Sequence, residues 1–235
     1  MAASTLLILF NNSSTYHMKK SILILLSVFM LGMASCQKET LKGSGDIITE
    51  NRTADAFTNI DIEGDPKLFI TYGPVLQLSV TGYANLVLQF ETRISNNELK
   101  AKFKSGSNIK NNNIEVHITM PVLTVLTTSG SVNTQIAGIF PYTSAIKFKV
   151  EGAGNTAMEN GSTGNLSVET SGSGSYNLLG LKAEEAHVKI SGSGEVKTQA
   201  NKVLQVKIDG SGKLYYQGNP ALEVDINGSG KILKY

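Results

Sequence analysis

The chain has no tryptophan, a single cysteine and few aromatic residues, 7% of 235 positions. With Cys36 alone, no disulfide can form within the chain, so nothing covalent staples the fold. Surplus charge is missing too. Of 21 basic residues, Lys19 and Lys20 fall in the N-terminal leader, which leaves 19 against 19 acidic residues. That balance excludes the electrostatic footprint of a nucleic-acid binder. No long segment carries a 3.6-residue apolar period, so helix content should be very low.

What the chain has instead is glycine, serine, threonine and asparagine, and a repeat. A Gly-x-Gly pair recurs at Gly152/Gly154, Gly172/Gly174, Gly192/Gly194, Gly210/Gly212 and Gly228/Gly230. The intervals between first glycines are 20, 20, 18 and 18 residues. A period near twenty marks stacked supersecondary units. Six, four and two positions before each first glycine stand Ile146, Phe148, Val150; Leu166, Val168, Thr170; Ala186, Val188, Ile190; Leu204, Val206, Ile208; and Leu222, Val224, Ile226. Between them stand polar residues such as Lys147 and Lys149, or Glu223 and Asp225. Strict period-two alternation gives strands with one buried face and one wet face. Glycine takes positive φ freely, so each pair turns a sharp corner. A β-meander with glycine turns has a similar period. Antiparallel neighbours, however, have no reason to keep one corner motif at one end only. We therefore read the chain as all-β, a right-handed parallel β-helix, a single-stranded solenoid with little or no helix. Phe148, Val168, Val188, Val206 and Val224 should stack as one inward ladder.

Residues 1–35 read as targeting sequence. Met18-Lys19-Lys20 and the apolar run Ser21 to Met33 have the charged start and short hydrophobic stretch of a secretory signal. The run is too short for a comfortable membrane span. Residues 1–17 precede a convincing start at Met18 and are expected to be an overextended gene start, with an uncleaved membrane anchor as the alternative. Met33-Ala34-Ser35-Cys36 resembles the lipobox of bacterial lipoproteins. That resemblance implies cleavage before Cys36 and lipid attachment there. Residues 36–45 then form a lipidated tether, and 46–235 the β-helix domain, regular from about 145.

Before the regular units, Phe57 to Ile62, Lys67 to Tyr72, Leu76 to Thr81 and Ile114 to Met120 alternate as strands. Gly64-Asp65-Pro66 and Gly73-Pro74 are turns, and Ile94 to Leu99 a turn between extended segments. Leu86 to Ile94 reads as strand rather than a short helix capped by Asn85. Thr128 to Val132 resembles a corner that has lost its first glycine, and 134–144 could bulge as an insertion.

Candidate chemistry is sparse. Asp61, Glu63 and Asp65 share one strand face and could hold calcium, although a solvated face running into a turn is the plainer reading. The Gly-Ser-Gly corners lack the helix and Lys-Ser/Thr pair of a phosphate cradle. Ser107/Lys110 and Ser144/Lys147 match Ser-x-x-Lys only formally. His117 and His187 sit outward without partners at metal-ligand spacing. No Gly-x-Ser-x-Gly elbow exists. The outward column Lys149, Glu169, Lys189, Lys207, Asp225 mixes signs and offers no acid cluster for cutting polysaccharide. No catalytic, cofactor or metal residue is therefore assigned.

Ser171-Gly172-Ser173-Gly174, Ser191-Gly192-Ser193-Gly194, Asp209-Gly210-Ser211-Gly212 and Asn227-Gly228-Ser229-Gly230, with Pro121-Val122-Leu123 and the lipoprotein-like start, carry a family likeness. Over about residues 46–235 the chain resembles the putative auto-transporter adhesin, head GIN domain family of Bacteroidetes envelopes. The resemblance implies a β-helix with glycine-rich edges, no established catalytic residues and an adhesive role. The function expected is that of a non-enzymatic envelope lipoprotein, lipid-anchored in the outer membrane on its periplasmic or surface face, binding glycan or protein. A self-associating structural protein, joined through open β-helix ends, is the alternative. A polysaccharide lyase or hydrolase ranks below both.

Overall fold

Alternating apolar and polar residues with β-branched side chains suit a pleated surface that is buried on one side. In the computed structural model, which describes residues 39–104 and 107–235, 72% of residues are in strands and 2% in helix. Residues 1–35, expected to be targeting sequence, and Cys36 lie outside the described residues.

Along the chain, β1 (Glu39–Lys42) and β2 (Ile47–Asn51) precede β3 (Asn59–Gly64) and β4 (Lys67–Tyr72). Then come β5 (Gln77–Tyr83), one helical turn α1 (Ala84–Val87), β6 (Phe90–Ser95), β7 (Glu98–Phe103), β8 (Ser107–Lys110) and β9 (Glu115–Met120). The regular coil runs through β10 (Val125–Gly130), β11 (Asn133–Ile139) and β12 (Thr143–Gly152) into three long bent strands. These are β13 (Thr156–Gly172), β14 (Ser175–Gly192) and β15 (Glu195–Gly210), followed by β16 (Lys213–Gln217), β17 (Ala221–Gly228) and β18 (Lys231–Lys234).

The result is a β-solenoid of about 6 turns. A first wall stacks β3, β10, β12, the ends of β13, β14 and β15, and β17, all parallel and in register. A second wall stacks β9, β4, β11, the starts of β13, β14 and β15, then β16 and β18, again parallel. The inward ladder is continuous: Ile60, Leu126, Phe148, Val168, Val188, Val206 and Val224 are successive partners. Each is at most 4% exposed except Val224 in the last rung. Burying such a side chain contributes roughly 1.5–3 kcal/mol before chain entropy is subtracted.

The change from a 20- to an 18-residue period has a local cause. In β14, burial alternation breaks at Leu179-Gly180 and again at Glu184-Glu185, which marks a short third side. Leu178 pairs with Thr198 but Lys182 pairs with Gln199, so the next rung shortens that side.

At the corners the first glycines form a ladder. Gly64, Gly130, Gly152, Gly172, Gly192, Gly210 and Gly228 are in register, with φ between +103° and +140°. Rung-to-rung bonding runs straight through the bend: Ser173 N donates to Gly152 O at 3.1 Å, and Ser193 N to Gly172 O at 2.9 Å.

The expectation that both members of each pair turn the corner by taking positive φ is corrected for the second members. Gly154, Gly174, Gly194, Gly212 and Gly230 all lie outside the positive-φ region. They stand at the corners, but they are small for want of space. A Cβ at Gly154 would overlap the carbonyl oxygen of Val132 in the rung beneath, and one at Gly212 would meet Ile190 Cγ2 at 2.5 Å. Gly154 also departs from its successors, because the residue in the matching place one rung earlier is Val132 rather than a glycine.

Thr128 to Val132 is thus a corner that keeps its first glycine, Gly130, and has Val132 in place of the second. That corrects the expected alignment. Gly64-Asp65-Pro66 is the same corner with Pro66 in the second place. The bulge expected within 134–144 is confined to one register shift between Ile136 and Ile139, at Gly138 with φ 89°.

The first end is built differently. β3 and β4 do not lie at the edge: β7 and β9 stack on one side of them, β10 and β11 on the other. Antiparallel pairs then close the end, β6 on β7, β5 on β9 and β2 on β5. Asn96 and Asn97, at φ 51° and 63°, make the two-residue β6–β7 turn, a conformation asparagine tolerates. The expectation of strand throughout 86–94 is corrected by α1. Asn85 does not cap it; its side chain accepts from Ser44 N at 3.0 Å and donates to Lys42 O at 2.8 Å. Arg52 reaches beneath, donating to Val87 O at 3.1 Å and Phe90 O at 3.3 Å. Within the stretch expected to be a tether, residues 39–42 form β1, parallel to β8.

Candidate functional site

Among the described residues, titratable side chains are spread along the ladders rather than gathered. Asp61, Glu63 and Asp65 each turn to a different neighbour. Asp61 lies 3.8 Å from Lys100, Glu63 lies 3.6 Å from Lys102, and Asp65 accepts from Asn112 at 2.6 Å. Burial, with Glu98 beside it, raises the Asp61 carboxyl pKa above its ordinary value, and Lys100 opposes the shift. A raised carboxyl pKa costs stability above that pKa, and the cost disappears once pH falls below the unfolded value. Asp61→Asn is therefore expected to raise the melting temperature by ~2 °C at pH 7 and to change nothing below about pH 3. Thermal unfolding at the two pH values checks this.

The outward side of the first wall carries a shallow trough of 490 Å³. Its floor is two columns, Ser167, His187, Gln205, Glu223 and Glu169, Lys189, Lys207, Asp225. His187 Nδ1 lies 2.6 Å from Gln205 Oε1, and Gln205 Nε2 donates to Glu223 at 2.6 Å. Lys147 bonds Glu169 at 2.7 Å and Lys207 bonds Asp225 at 2.9 Å. The Lys147 bond holds the Glu169 carboxyl below the usual range. Glycoside cleavage needs one carboxyl held protonated near neutral pH. Glu169 is held in the opposite state, within a solvated ladder of paired charges.

The outward side of the second wall is different in kind. A trough of 550 Å³ is lined by Lys67, Phe69, Asn133, Gln135, Asn155, Ala157, Ser175 and Asn177, among others. One column runs His117, Phe69, Gln135, Ala157, Asn177, a residue per rung. Phe69 stacks on His117 with ring centroids 4.8 Å apart and planes 11° from parallel. Stacked rings on adjacent rungs leave the other face of Phe69 turned toward Gln135. Ala157, the small residue of the column, makes the recess. Beside it, Asn133 Oδ1 accepts from Asn155 Nδ2 at 3.0 Å, and Asn155 Oδ1 accepts from Ser175 N at 3.0 Å. Lys67 is tied to Glu115 at 3.0 Å, so the floor is neutral and rich in amides. Farther along, Lys197 Nζ lies 5.7 Å from the Tyr215 ring centre and 6.0 Å from that of Tyr235.

Sequence reasoning placed the corner glycines, from Gly152 and Gly154 to Gly228 and Gly230, along one edge, where they line neither trough. It placed His117 and His187 on outward faces but missed Phe69, Gln135, Asn155 and Asn177. The only local signal was an outward aromatic in the alternation of Lys67 to Tyr72. Ser107 lies in β8 and Ser144 in β12, both strands, so neither Ser-x-x-Lys serine heads a helix. No helix among the described residues is long and apolar enough to cross a membrane.

Solved structures that share the fold include three bacterial proteins. A putative adhesin from Bacteroides fragilis aligns with TM-score 0.71 at 18% identity, covering 83% of this chain and 100% of its own. A putative lipid binding protein from Parabacteroides distasonis gives 0.57 at 21% identity, covering 84% and 100%. A putative adhesin from Parabacteroides merdae gives 0.55 at 18% identity, covering 84% and 99%. No curated protein matches the sequence. The family model described as putative auto-transporter adhesin, head GIN domain, matches residues 56–220. On that match, and with the solenoid and its corner ladder in place, the chain belongs to the head GIN domain family of putative auto-transporter adhesins.

Proposed function

We propose that this protein is a non-enzymatic adhesin of the bacterial envelope, anchored by lipid at Cys36, whose second-wall trough holds a neutral glycan. The observation that carries the glycan reading is the column of Phe69, Gln135, Ala157 and Asn177 flanked by Asn133 and Asn155. The C–H face of a sugar ring packs on an aromatic face. Its hydroxyls both donate and accept, and a primary amide matches both roles. Rungs lie ~4.8 Å apart, so Phe69 to Asn177 spans ~14 Å, room for a short oligosaccharide. The anchor rests on Met18-Lys19-Lys20, the apolar run after it and Met33-Ala34-Ser35-Cys36. The lipobox-like segment and the adhesin family both support placement at the outer membrane.

A glycan array probed with the purified protein tests the site. Phe69→Ala is expected to weaken binding to neutral oligosaccharides about tenfold or more, equivalent to ~1.4 kcal/mol. Glu169→Gln, on the other wall, is expected to leave it unchanged. An array without hits, with envelope proteins captured instead, would turn the reading from sugars to protein. Incorporation of labelled palmitate, expected in the native chain and lost in Cys36→Ser, tests the anchor separately.

A further inference from the structure

The two ends of the solenoid differ. Antiparallel strands close the first end, whereas no strand among the described residues covers the last rung. Leu222, Val224 and Ile226 of β17 are 44%, 50% and 37% exposed, although their partners Leu204, Val206 and Ile208 are buried. In β18, Leu233 is 40% exposed and Ile232 is only partly covered. The outer edges of both strands pair with no strand among the described residues. An apolar core in cross-section, rimmed by free backbone groups, is a template for another strand pair.

We propose that this end docks the same end of a second copy, by a twofold axis that exchanges the two walls. Charge selects the arrangement. On their outward faces the β17 edge carries Glu223 and Asp225 and the β18 edge carries Lys231, whereas Lys234 shares the face of Ile232 and donates to Asn219 Oδ1 at 3.3 Å. A twofold axis through both walls would set β17 on β17 and β18 on β18. Acid would then face acid, which disfavours pairing. An axis lying between the walls sets each β17 on the partner's β18. Glu223 and Asp225 then lie on the same face as the partner's Lys231, and Leu222, Val224 and Ile226 close over Ile232. Such an interface is self-complementary and stops at two copies, whereas end-to-tail stacking would run on as a filament. The inference does not rest on the glycan reading. With both true, one dimer would present two troughs and gain avidity for a multivalent glycan surface.

Sedimentation equilibrium of the full chain in density-matched detergent tests this. The wild type is expected at the mass of two chains. Val224→Lys is expected at the mass of one, with the far-UV circular dichroism of the wild type showing that it still folds. Glu223→Lys alone should weaken the dimer about tenfold, and adding Lys231→Glu should restore it. One-chain mass for the wild type at ~100 µM, well above the protein concentrations at which weak docking saturates, would overturn the proposal. So would an open series of larger species, a different protein on this end without self-association, or a double swap that restores nothing.

Discussion

Val206→Asp is expected to lower the melting temperature by roughly 10–20 °C, the largest effect expected of any single substitution on the inward ladder. Val206 is 4% exposed and sits in register between Val188 and Val224, with Leu204 and Ile208 buried on either side along the strand. Its inward neighbours are apolar, so no cation is at hand to compensate a carboxylate. The group would have to be buried charged or take up a proton, and either route costs about 4–5 kcal/mol. That is a large part of the ~5–15 kcal/mol that holds a domain folded. Each rung's core exists only against its neighbours, so the damage spreads to the rungs above and below. Val224→Asp makes the same chemical change on the same ladder at a place half-exposed in the single chain, and, measured in dilute solution below the concentration at which chains pair, is expected to cost under ~1 kcal/mol. Circular dichroism melts of the two variants check both statements. Equal melting of Val206→Asp and the wild type would mean that the ladder does not point inward.

Gly172→Ala is expected to cost about 3 kcal/mol or more, and Gly64→Ala distinctly less, although both residues are corner glycines at positive φ. Gly172 has φ 140°, and a Cβ there would overlap the carbonyl oxygen of Gly152 in the rung beneath. That oxygen also accepts the Ser173 N–H, so moving it breaks the bonding through the bend. Gly64 has φ 107°, yet the nearest atom to its added Cβ is Pro66 Cδ at 3.6 Å. Only the backbone preference is lost there, about 1–2 kcal/mol. Ser173→Ala, between the paired glycines, should change stability by less than ~0.5 kcal/mol. Thermal or urea unfolding measures the three. Equal costs at Gly64 and Gly172 would show that rung-to-rung crowding is not what makes the corner glycines necessary.

The regular half of the solenoid was legible because its signal is local. Within each unit, alternation sets in and out, and the glycine pair sets the corner; stacking only repeats this. The division of labour inside the pair was not legible. Gly152 and Gly154 look alike in the sequence, yet one is needed for its φ and the other for the carbonyl oxygen of Val132 lying against it. The first half of the chain was harder to read, for two physical reasons. Its corners are disguised, since Pro66 and Val132 stand where the second glycine would be, and neither needs positive φ. Its rungs are also out of chain order. Placing β3 and β4 between β7 and β9 on one side and β10 and β11 on the other joins Ile60 to Leu126 across 66 residues, and no short-range pattern encodes that. The second-wall trough inherits the difficulty. Phe69, Gln135, Ala157 and Asn177 meet only once both the disguised corners and the rung order are known. The first-wall column from Lys149 to Asp225 could be written down from the repeat alone, and it proved to be the charge ladder. The exposure of Leu222, Val224 and Ile226 needed the structure.

Disulfide formation between engineered cysteines tests parallel, in-register stacking most directly. In a Cys36→Ser background, Lys147→Cys with Ser167→Cys, and Glu151→Cys with Ser171→Cys, place partners on adjacent rungs. Neighbouring strands lie ~4.8 Å apart, within the span a disulfide bridges. The crossed pair, Lys147→Cys with Ser171→Cys, is four residues out of register, ~13 Å along the strand and beyond reach. Both straight pairs are expected to oxidise and the crossed pair to stay reduced. Oxidation of the crossed pair with the straight pairs left as thiols would show the strands running in opposite directions, and the solenoid would be wrong.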